Sequence, residues 1–407
     1  MHYTRKTVDT SYRNLSDYSL QLNRWFLKPV GAWPSSTTTT IREKAVSVIL
    51  IVVCWSLLAF TIFPCILNIL FEETDVQKKL RAVGPLSHWC MGGMNYFSLL
   101  FRSRDIRQCV RHIKSDWRTV SQLGDRQVML KYARIGRFVA GLCAIFMHSG
   151  VFSHSVLQAV TMPEIAYIGN ESVQVHVLPC PTYSKFVDIR YKPASDIALT
   201  LQLLSSIVVN SVTVGACSLA AVFAMHACGQ LNVLMRWLNQ LVDDRKQFDK
   251  VQRRLAVIVE HHVRVLSFVA RMETLLNQIC FVELLGCTFN LCMLGYYVIT
   301  GWNVIEKETS IAYMIIYLSM TFNIFIFCYI GEALTEQCKQ VGETAYMTDW
   351  YLLPHKTALG LILIISRSSV VIKLTAGKMV HLSIATFGAV MKTSMVYLNM
   401  LRTMTAS

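Results

Sequence analysis

Two ionisable side chains interrupt stretches that are otherwise apolar. Glu283 lies within residues 274–300, and Lys392 lies within residues 379–401. A charge at the centre of a bilayer is costly, so such residues face protein or water rather than lipid. Glu283 is open to three roles: pairing with a basic residue, facing a cavity, or accepting an interhelical hydrogen bond. Lys392 either lines a water-filled path or snorkels to an interface on its long stem. Enzyme signatures are missing. No H-E-x-x-H pair, Walker A loop, G-x-G-x-x-G turn or G-x-S-x-G elbow occurs in the sequence, so the usual metal, phosphate and nucleophile geometries have no carrier. His261 and His262 are adjacent, which turns their rings in different directions on a helix. The chain reads as a non-enzyme with no metal site and no cofactor.

A second group of residues suits recognition rather than reaction. Trp89, Tyr96, Phe97, Met147, His148, Gly150, His154, Leu203, Ser206, Tyr313, Tyr317 and Met320 combine aromatic, thioether and small polar groups. Assigned to the outer halves of spans 2, 3, 4 and 6, they fit a pocket for a small apolar ligand held by a few polar anchors. Plain helix packing with an interfacial aromatic belt accounts for the same composition. Near the C-terminus, Thr393, Val396, Met400, Thr403 and Met404 recur at helical spacing. Around a symmetry axis such a stripe could form a gate that opens by wetting.

These residues must be positioned by membrane-spanning helices. The 407-residue chain is 53% hydrophobic and only 16% charged, against about 25% charged in a soluble domain. A bilayer core needs about 20 apolar residues in helix. Seven stretches qualify: residues 45–70, 83–101, 138–160, 197–228, 274–300, 311–331 and 379–401. The apolar run 358–365 is too short to cross and is expected to pack on protein. Residues 243–271, with Leu255, Val259, His262, Leu266 and Val269 at three- and four-residue steps, are expected to be helical. Spans 3 to 6 should therefore continue beyond the membrane as a helical bundle.

The net charge of +14 would suggest nucleic acid in a soluble protein. Its distribution suggests otherwise. Lys and Arg number seven before the first span and three, ten, three, eight, one and five in the six segments between spans. This alternation places the N-terminus in the cytoplasm and, after seven crossings, the C-terminus outside. The sequon at Asn170 falls in a loop placed outside, and the one at Asn14 falls inside, so Asn170 alone is expected to be glycosylated. No cleavable signal peptide precedes the first span. Twelve of the thirteen cysteines lie in apolar or cytoplasmic segments and read as small buried hydrophobes. Cys180 falls in a probable outer loop.

The C-terminal third carries a recognisable succession. Ala345-Tyr346-Met347-Thr348-Asp349-Trp350-Tyr351-Leu352-Leu353-Pro354 is followed by Ile365-Ser366-Arg367-Ser368, Leu374-Thr375-Ala376-Gly377-Lys378, Leu382-Ser383, Thr386-Phe387, Lys392-Thr393-Ser394 and Tyr397. It resembles the C-terminal signature of insect odorant receptors. Gly31-Ala32-Trp33-Pro34, Gly84-Pro85-Leu86, Ile106-Arg107 and Asp116-Trp117 look like the same family, most like its hymenopteran members. Two positions depart from the pattern: Val371 stands where a proline is common, and Leu398 where an aromatic follows Tyr397.

The resemblance implies an all-α membrane protein that is one subunit of a tetrameric, odorant-gated, non-selective cation channel. Its partners would be a shared co-receptor subunit, a small volatile odorant, permeant cations and the lipid bilayer, with no nucleic acid. It would sit in the plasma membrane of olfactory sensory dendrites. The chain lacks the co-receptor's long insertion after span 4 and so looks like a tuning subunit. The expected division is a cytoplasmic segment 1–44, spans 1 to 6 with cytoplasmic extensions over 45–331, an anchor and bend over 332–378, and a pore-lining span with an outer C-terminus over 379–407. The resemblance puts the ligand pocket among Trp89, Tyr96, Phe97, Met147, Gly150, His154, Leu203, Ser206, Tyr313, Tyr317 and Met320. It puts the pore at Lys392, Val396, Met400, Thr403 and Met404. The alternative is a G-protein-coupled or gustatory-type chemoreceptor. The first of these predicts an outer N-terminus, and the last span holds no Asn-Pro-x-x-Tyr element.

Overall fold

The computed structural model describes residues 2–35, 40–161, 163–168, 171–176, 178–186, 192–242, 248–301, 307–370 and 372–406. Ten α-helices occupy them: α1 (His2–Leu27), α2 (Ile41–Leu67), α3 (Val76–Phe101), α4 (Ser103–Thr119), α5 (Leu123–Thr161), α6 (Lys192–Asn239), α7 (Phe248–Gly301), α8 (Lys307–Met347), α9 (His355–Ser369) and α10 (Ile384–Ala406). Two short antiparallel hairpins complete the described structure: β1 (Pro163–Ile168) with β2 (Glu171–His176), and β3 (Thr375–Ala376) with β4 (Val380–His381).

Six of the seven expected spans fall within α2 (continued by a π-helical turn, Asn68–Glu72), α3, α5, α6, α7 and α8, while the seventh, 379–401, starts too early: Val380–His381 pair in β4 and α10 begins only at Ile384. Among the described residues, four segments are long and apolar enough by composition alone to cross a membrane: Ile41–Glu72, Pro193–Asn239, Asp249–Val298 and Ser310–Met347. The helices run well past bilayer length. At 1.5 Å per residue, the 54 residues of α7 extend about 80 Å. The expected boundary at 331/332 therefore falls inside α8, which continues unbroken to Met347.

Capping and packing place these helices. Thr40 and Glu43 form a reciprocal capping box at the start of α2 (3.3 and 3.1 Å), satisfying two orphan donors. α2 shows most of its surface outward, whereas α6 is buried along nearly its whole apolar length. α6 is the central post, touched by α1, α2, α3, α5, α7 and α8. Small residues allow these close approaches. A Cβ on Gly92 of α3 would lie 2.4 Å from Val209 Cγ1 of α6. Gly92→Ala is therefore expected to cost about 1–3 kcal/mol by overpacking. Val209→Ala in the same chain should restore much of the loss, read as recovery of the apparent melting temperature of purified receptor.

The basic helices gather at one end, called here the basic end. There α1 lies against α4, α5 and α6 through buried Leu20 and Leu27. Arg137 of α5 donates to the Tyr18 carbonyl and stacks 4.0 Å from the Tyr18 ring. α9 packs on α7 and α8 through buried Leu361 and Ile364, as expected of an apolar run too short to cross. The bend back into α10 is held by the β3–β4 hairpin. Gly377 and Lys378 both take φ of 60° at its turn, and the Gly377 N–H donates to the Asn277 carbonyl of α7 at 2.8 Å. A side chain at Gly377 would meet the Phe281 ring at 2.8 Å, so glycine is required there. Val371 lies outside the described residues.

The adjacent histidines diverge. The His261 ring packs 4.9 Å from Trp237, while His262 is buried on another side of α7. Burial, then the positive charge of Arg367, pushes the His262 imidazole down to about 4. Below the ordinary value of about 6.5 the unfolded chain binds this proton and the folded chain does not. The His262 contribution is therefore complete above pH 6.5 and falls as pH drops toward 4, by on the order of 3 kcal/mol. His262→Leu should flatten this part of the pH dependence of thermal stability in detergent. An unchanged slope would refute the assignment.

Candidate functional site

The site is built from a polar floor upward. At the middle of the bundle Glu283 of α7 is buried, and its two oxygens serve two other helices. Asn95 Nδ2 of α3 donates to Oε1 at 2.5 Å, and Asn323 Nδ2 of α8 donates to Oε2 at 2.6 Å. Cys287 Sγ lies 3.7 Å from Oε2, and Cys143 Sγ of α5 lies 3.9 Å from Asn323 Oδ1. Of the three roles open to Glu283, the structure selects the interhelical hydrogen bond. No basic partner to it occurs among the described residues. In a medium without water these bonds fix the rotation of α3, α7 and α8 against one another.

The candidate pocket residues sit on the side of this floor away from the basic end. Along the α3–α6 seam, Trp89 is buried and its indole N–H donates to Ser205 Oγ at 2.9 Å. Ser206 is also buried, with its hydroxyl returned to the Leu203 carbonyl at 2.7 Å, and Leu203 packs with Leu178, Ala198, Leu199 and Phe60. Along the α5–α8 seam, Met147 and Met320 are buried, and Met320 Sδ lies 3.9 Å from Cys287 Sγ. Gly150 lets the helices close, since a Cβ there would fall 2.8 Å from Ser319 Oγ. Tyr317 is half-buried against the core, and Tyr313 lies 6.4 Å from the Tyr297 ring of α7. The His154 side chain lies outside the described residues.

Two members of the sequence-derived set do not belong there. Tyr96 and Phe97 follow the floor residue Asn95 directly on α3, and both side chains are engaged away from the two seams. Tyr96 is fully buried, donates to the Val30 carbonyl at 2.6 Å and stacks 5.4 Å from Trp55, anchoring the segment after α1. Phe97 faces out of the bundle, 60% exposed, and stacks on Phe101.

The structure adds two residues that the composition did not single out as a site. His88 is one residue from Trp89 and one turn from Gly92, and its buried ring faces Asn210 of α6. The two side chains face each other, but among the described residues neither His88 ring nitrogen nor Asn210 Oδ1 completes a hydrogen bond of good geometry. Unsatisfied buried polar atoms are rare and require a reason. Here they provide one donor-acceptor face inside an apolar seam, the pattern of a ligand anchor. The available signal was a polar residue within an apolar window at each position.

The last helix is arranged differently. α10 meets α7 and α8 through one stripe, Val390, Ser394 and Leu398, all buried. Leu398 nests over Gly295, so the aliphatic residue at this position fits a contact that admits little bulk. Lys392, Thr393, Val396, Met400 and Thr403 are all exposed on the remaining surface of the helix. Val396 is 64% and Met400 55% exposed. The Met404 side chain and Asn170 lie outside the described residues. No cluster of three metal-ligating side chains occurs among the described residues.

Comparison with known proteins agrees with this architecture. The family model described as 7tm Odorant receptor matches residues 75–395. Odorant receptor 10 of Aedes albopictus is 27% identical over 176 residues, covering 42% of this chain and 46% of that protein. Odorant receptor 13a of Drosophila melanogaster is 26% identical over 197 residues, covering 44% and 46%. The matched segments thus span about half the length of these curated relatives. The insect olfactory receptor OR5 from Machilis hrabei, solved in complex with eugenol, superposes with a TM-score of 0.80 at 12% identity, over 97% of this chain and 99% of that one.

Proposed function

The chain belongs to the 7tm odorant receptor family, and from that premise we propose that it is the ligand-binding subunit of an odorant-gated, non-selective cation channel. It works with a co-receptor subunit, as a tetramer, in the plasma membrane of olfactory sensory dendrites. The N-terminus and the basic end are cytoplasmic; the 178–186 loop and the C-terminus are outside. The single observation that carries the channel reading is α10. One stripe ties it to its own protomer, and the opposite surface presents Lys392, Val396, Met400 and Thr403 with no protomer contact to explain them. A membrane helix held by one edge at the periphery of a subunit suits a pore shared between subunits.

Ligand enters the apolar space above the Glu283 floor, between the α3–α6 and α5–α8 seams. Trp89, Met147, Leu203, Tyr317 and Met320 supply apolar contact, and His88 with Asn210 supplies a polar anchor. A ligand with one hydroxyl or carbonyl on an apolar body matches this pattern. Such an anchor separates ligands by more than an apolar wall does, because an unmatched buried polar group is left unpaired. His88→Leu is expected to weaken responses to hydroxyl- or carbonyl-bearing odorants at least tenfold, while largely sparing hydrocarbons of the same shape. An equal loss for both classes would refute the anchor.

The channel reading is tested by recording whole-cell current from cells expressing the chain and the co-receptor, with G-protein signalling blocked. Odorant-evoked current should persist. Its loss under the block would favour the G-protein-coupled alternative.

A further inference from the structure

The segment 178–186 is not a loose connection. Leu178, Cys180 and Thr182 are buried. The buried side chain of Gln202 on α6 clamps both backbone groups of Cys180: the Cys180 N–H donates to Oε1 at 3.0 Å, and Nε2 donates to the Cys180 carbonyl at 2.8 Å. Two further bonds tie the segment to the turn after α2. Asn68 Nδ2 donates to the Thr182 carbonyl at 3.4 Å, and the Ser184 N–H donates to Glu72 Oε2 at 2.8 Å. Cys65 lies one turn before Asn68 on α2, and Cys180 two residues before Thr182, so the Asn68–Thr182 bond brings the two cysteines into the same neighbourhood, with Cys90 of α3 the next thiol. Cys65 and Cys180 are both fully buried and both are free thiols in the structure.

We infer that Cys65 and Cys180 are joined by a disulfide in the mature receptor, fastening the 178–186 segment over the outer end of α2, α3 and α6. This rests on the orientation proposed above, which puts both residues on the oxidising side of the membrane. The chemistry is thiol–disulfide exchange. The two thiols lose two protons and two electrons as the S–S bond forms. A protein disulfide of the secretory compartment accepts them and leaves as a dithiol, through a mixed disulfide with one of the cysteines. The oxidation precedes final burial, because the thiols are inaccessible once the segment is seated.

A second thiol contact in the molecule provides the contrast. Cys143 of α5 and Cys217 of α6 also touch, but within the bundle and among apolar helices, where no oxidant reaches. That pair should remain reduced. The functional consequence of the outer bond is a covalently pinned cover above the Trp89–Ser205 seam, so ligand must enter beside the cover rather than by lifting it.

The test uses the native full-length chain, expressed with its co-receptor. Membranes are denatured in an alkylating maleimide without reductant, then split and either reduced or not, and the peptides are mapped by mass spectrometry. The expected result is that the peptides holding Cys65 and Cys180 run as one cross-linked species until reduction, while Cys143 and Cys217 are alkylated at once. Glycosidase treatment of the same sample reports whether Asn170 carries sugar. Free Cys65 and Cys180 with a glycosylated Asn170 would overturn the disulfide and leave the orientation standing. Free thiols without sugar at Asn170 would overturn it together with its premise. A Cys65–Cys90 link would overturn the assigned partner. In current recordings, Cys65→Ser, Cys180→Ser and the double variant should show the same loss of response. Additive losses would contradict a shared bond.

Discussion

Replacing Glu283 with alanine is expected to abolish ligand-evoked current and to reduce folded receptor at the cell surface severalfold. The reason is local and countable. The carboxylate accepts from Asn95 on α3 at 2.5 Å and from Asn323 on α8 at 2.6 Å, and both asparagines are buried. Without it two amide donors are orphaned where no water reaches. Each costs about 1–3 kcal/mol, which together is a large share of ordinary folding stability. Glu283→Gln should be milder than Glu283→Ala. Its amide keeps the shape and one acceptor, so one of the two asparagines stays satisfied. Surface biotinylation and thermal unfolding of the purified chain would check the order, wild type above Gln above Ala. Equal behaviour of the two variants would mean that the floor does not hold the three helices together.

The second large effect is expected at Asp116. This buried carboxylate of α4 accepts from His226 Nε2 on α6 at 2.9 Å and from Arg264 Nη2 on α7 at 2.5 Å, with His112 Nε2 at 3.4 Å. Burial works against its charge, but the neighbouring His226, His112 and Arg264 more than offset this and hold the carboxyl below its ordinary value. One anion thus ties the three helices of the basic end. Asp116→Ala leaves the buried His226 and the partly exposed Arg264 without this partner; breaking a fully buried pair costs about 3–5 kcal/mol, and solvent at Arg264 lowers that figure here. Failure to assemble with the co-receptor should follow, seen as loss of co-purification. His112→Phe is the control. It keeps the stack on Phe268, now 4.9 Å between ring centres, and removes only the longest of the three contacts. It should leave assembly nearly intact. If Asp116→Ala assembles normally, the cluster takes no part in subunit assembly.

These two clusters mark where sequence and structure diverge. The seven apolar stretches, the alternating basic loops and the C-terminal succession were all readable, because hydrophobicity and charge are local properties of the chain. Glu283 stood out for the same reason. Its partners did not: Asn95 and Asn323 are 188 and 40 residues away in sequence, and nothing local reports that pairing. Asp116 was visible only as part of a family-like stretch, since its partners come from two distant helices. Tyr96 and Phe97 were grouped with the pocket because composition does not report which way each side chain turns. Their true setting depends on the Val30 carbonyl and on the segment after α1, which rises to meet them. The β1–β2 hairpin went unread because two six-residue strands inside a loop contribute little to a reading built on bilayer-length runs. The bend before α10 was expected within 332–378, but its hold came from α7, through the Asn277 carbonyl and through Glu273, which accepts from Thr375 at 2.6 Å.

Ion conduction along the free face of α10 is the central proposal, and Thr403→Asp tests it most directly. Thr403 is exposed near the end of that helix, with its hydroxyl returned to the Met400 carbonyl at 2.8 Å, so the substitution disturbs no packed contact. A carboxylate there adds a negative charge to the permeation path. Measured with calcium outside and sodium inside, the reversal potential of the odorant-evoked current should shift toward higher calcium permeability, with the odorant concentration dependence unchanged. A normal evoked current with an unmoved reversal potential would show that α10 of this chain does not line the pore.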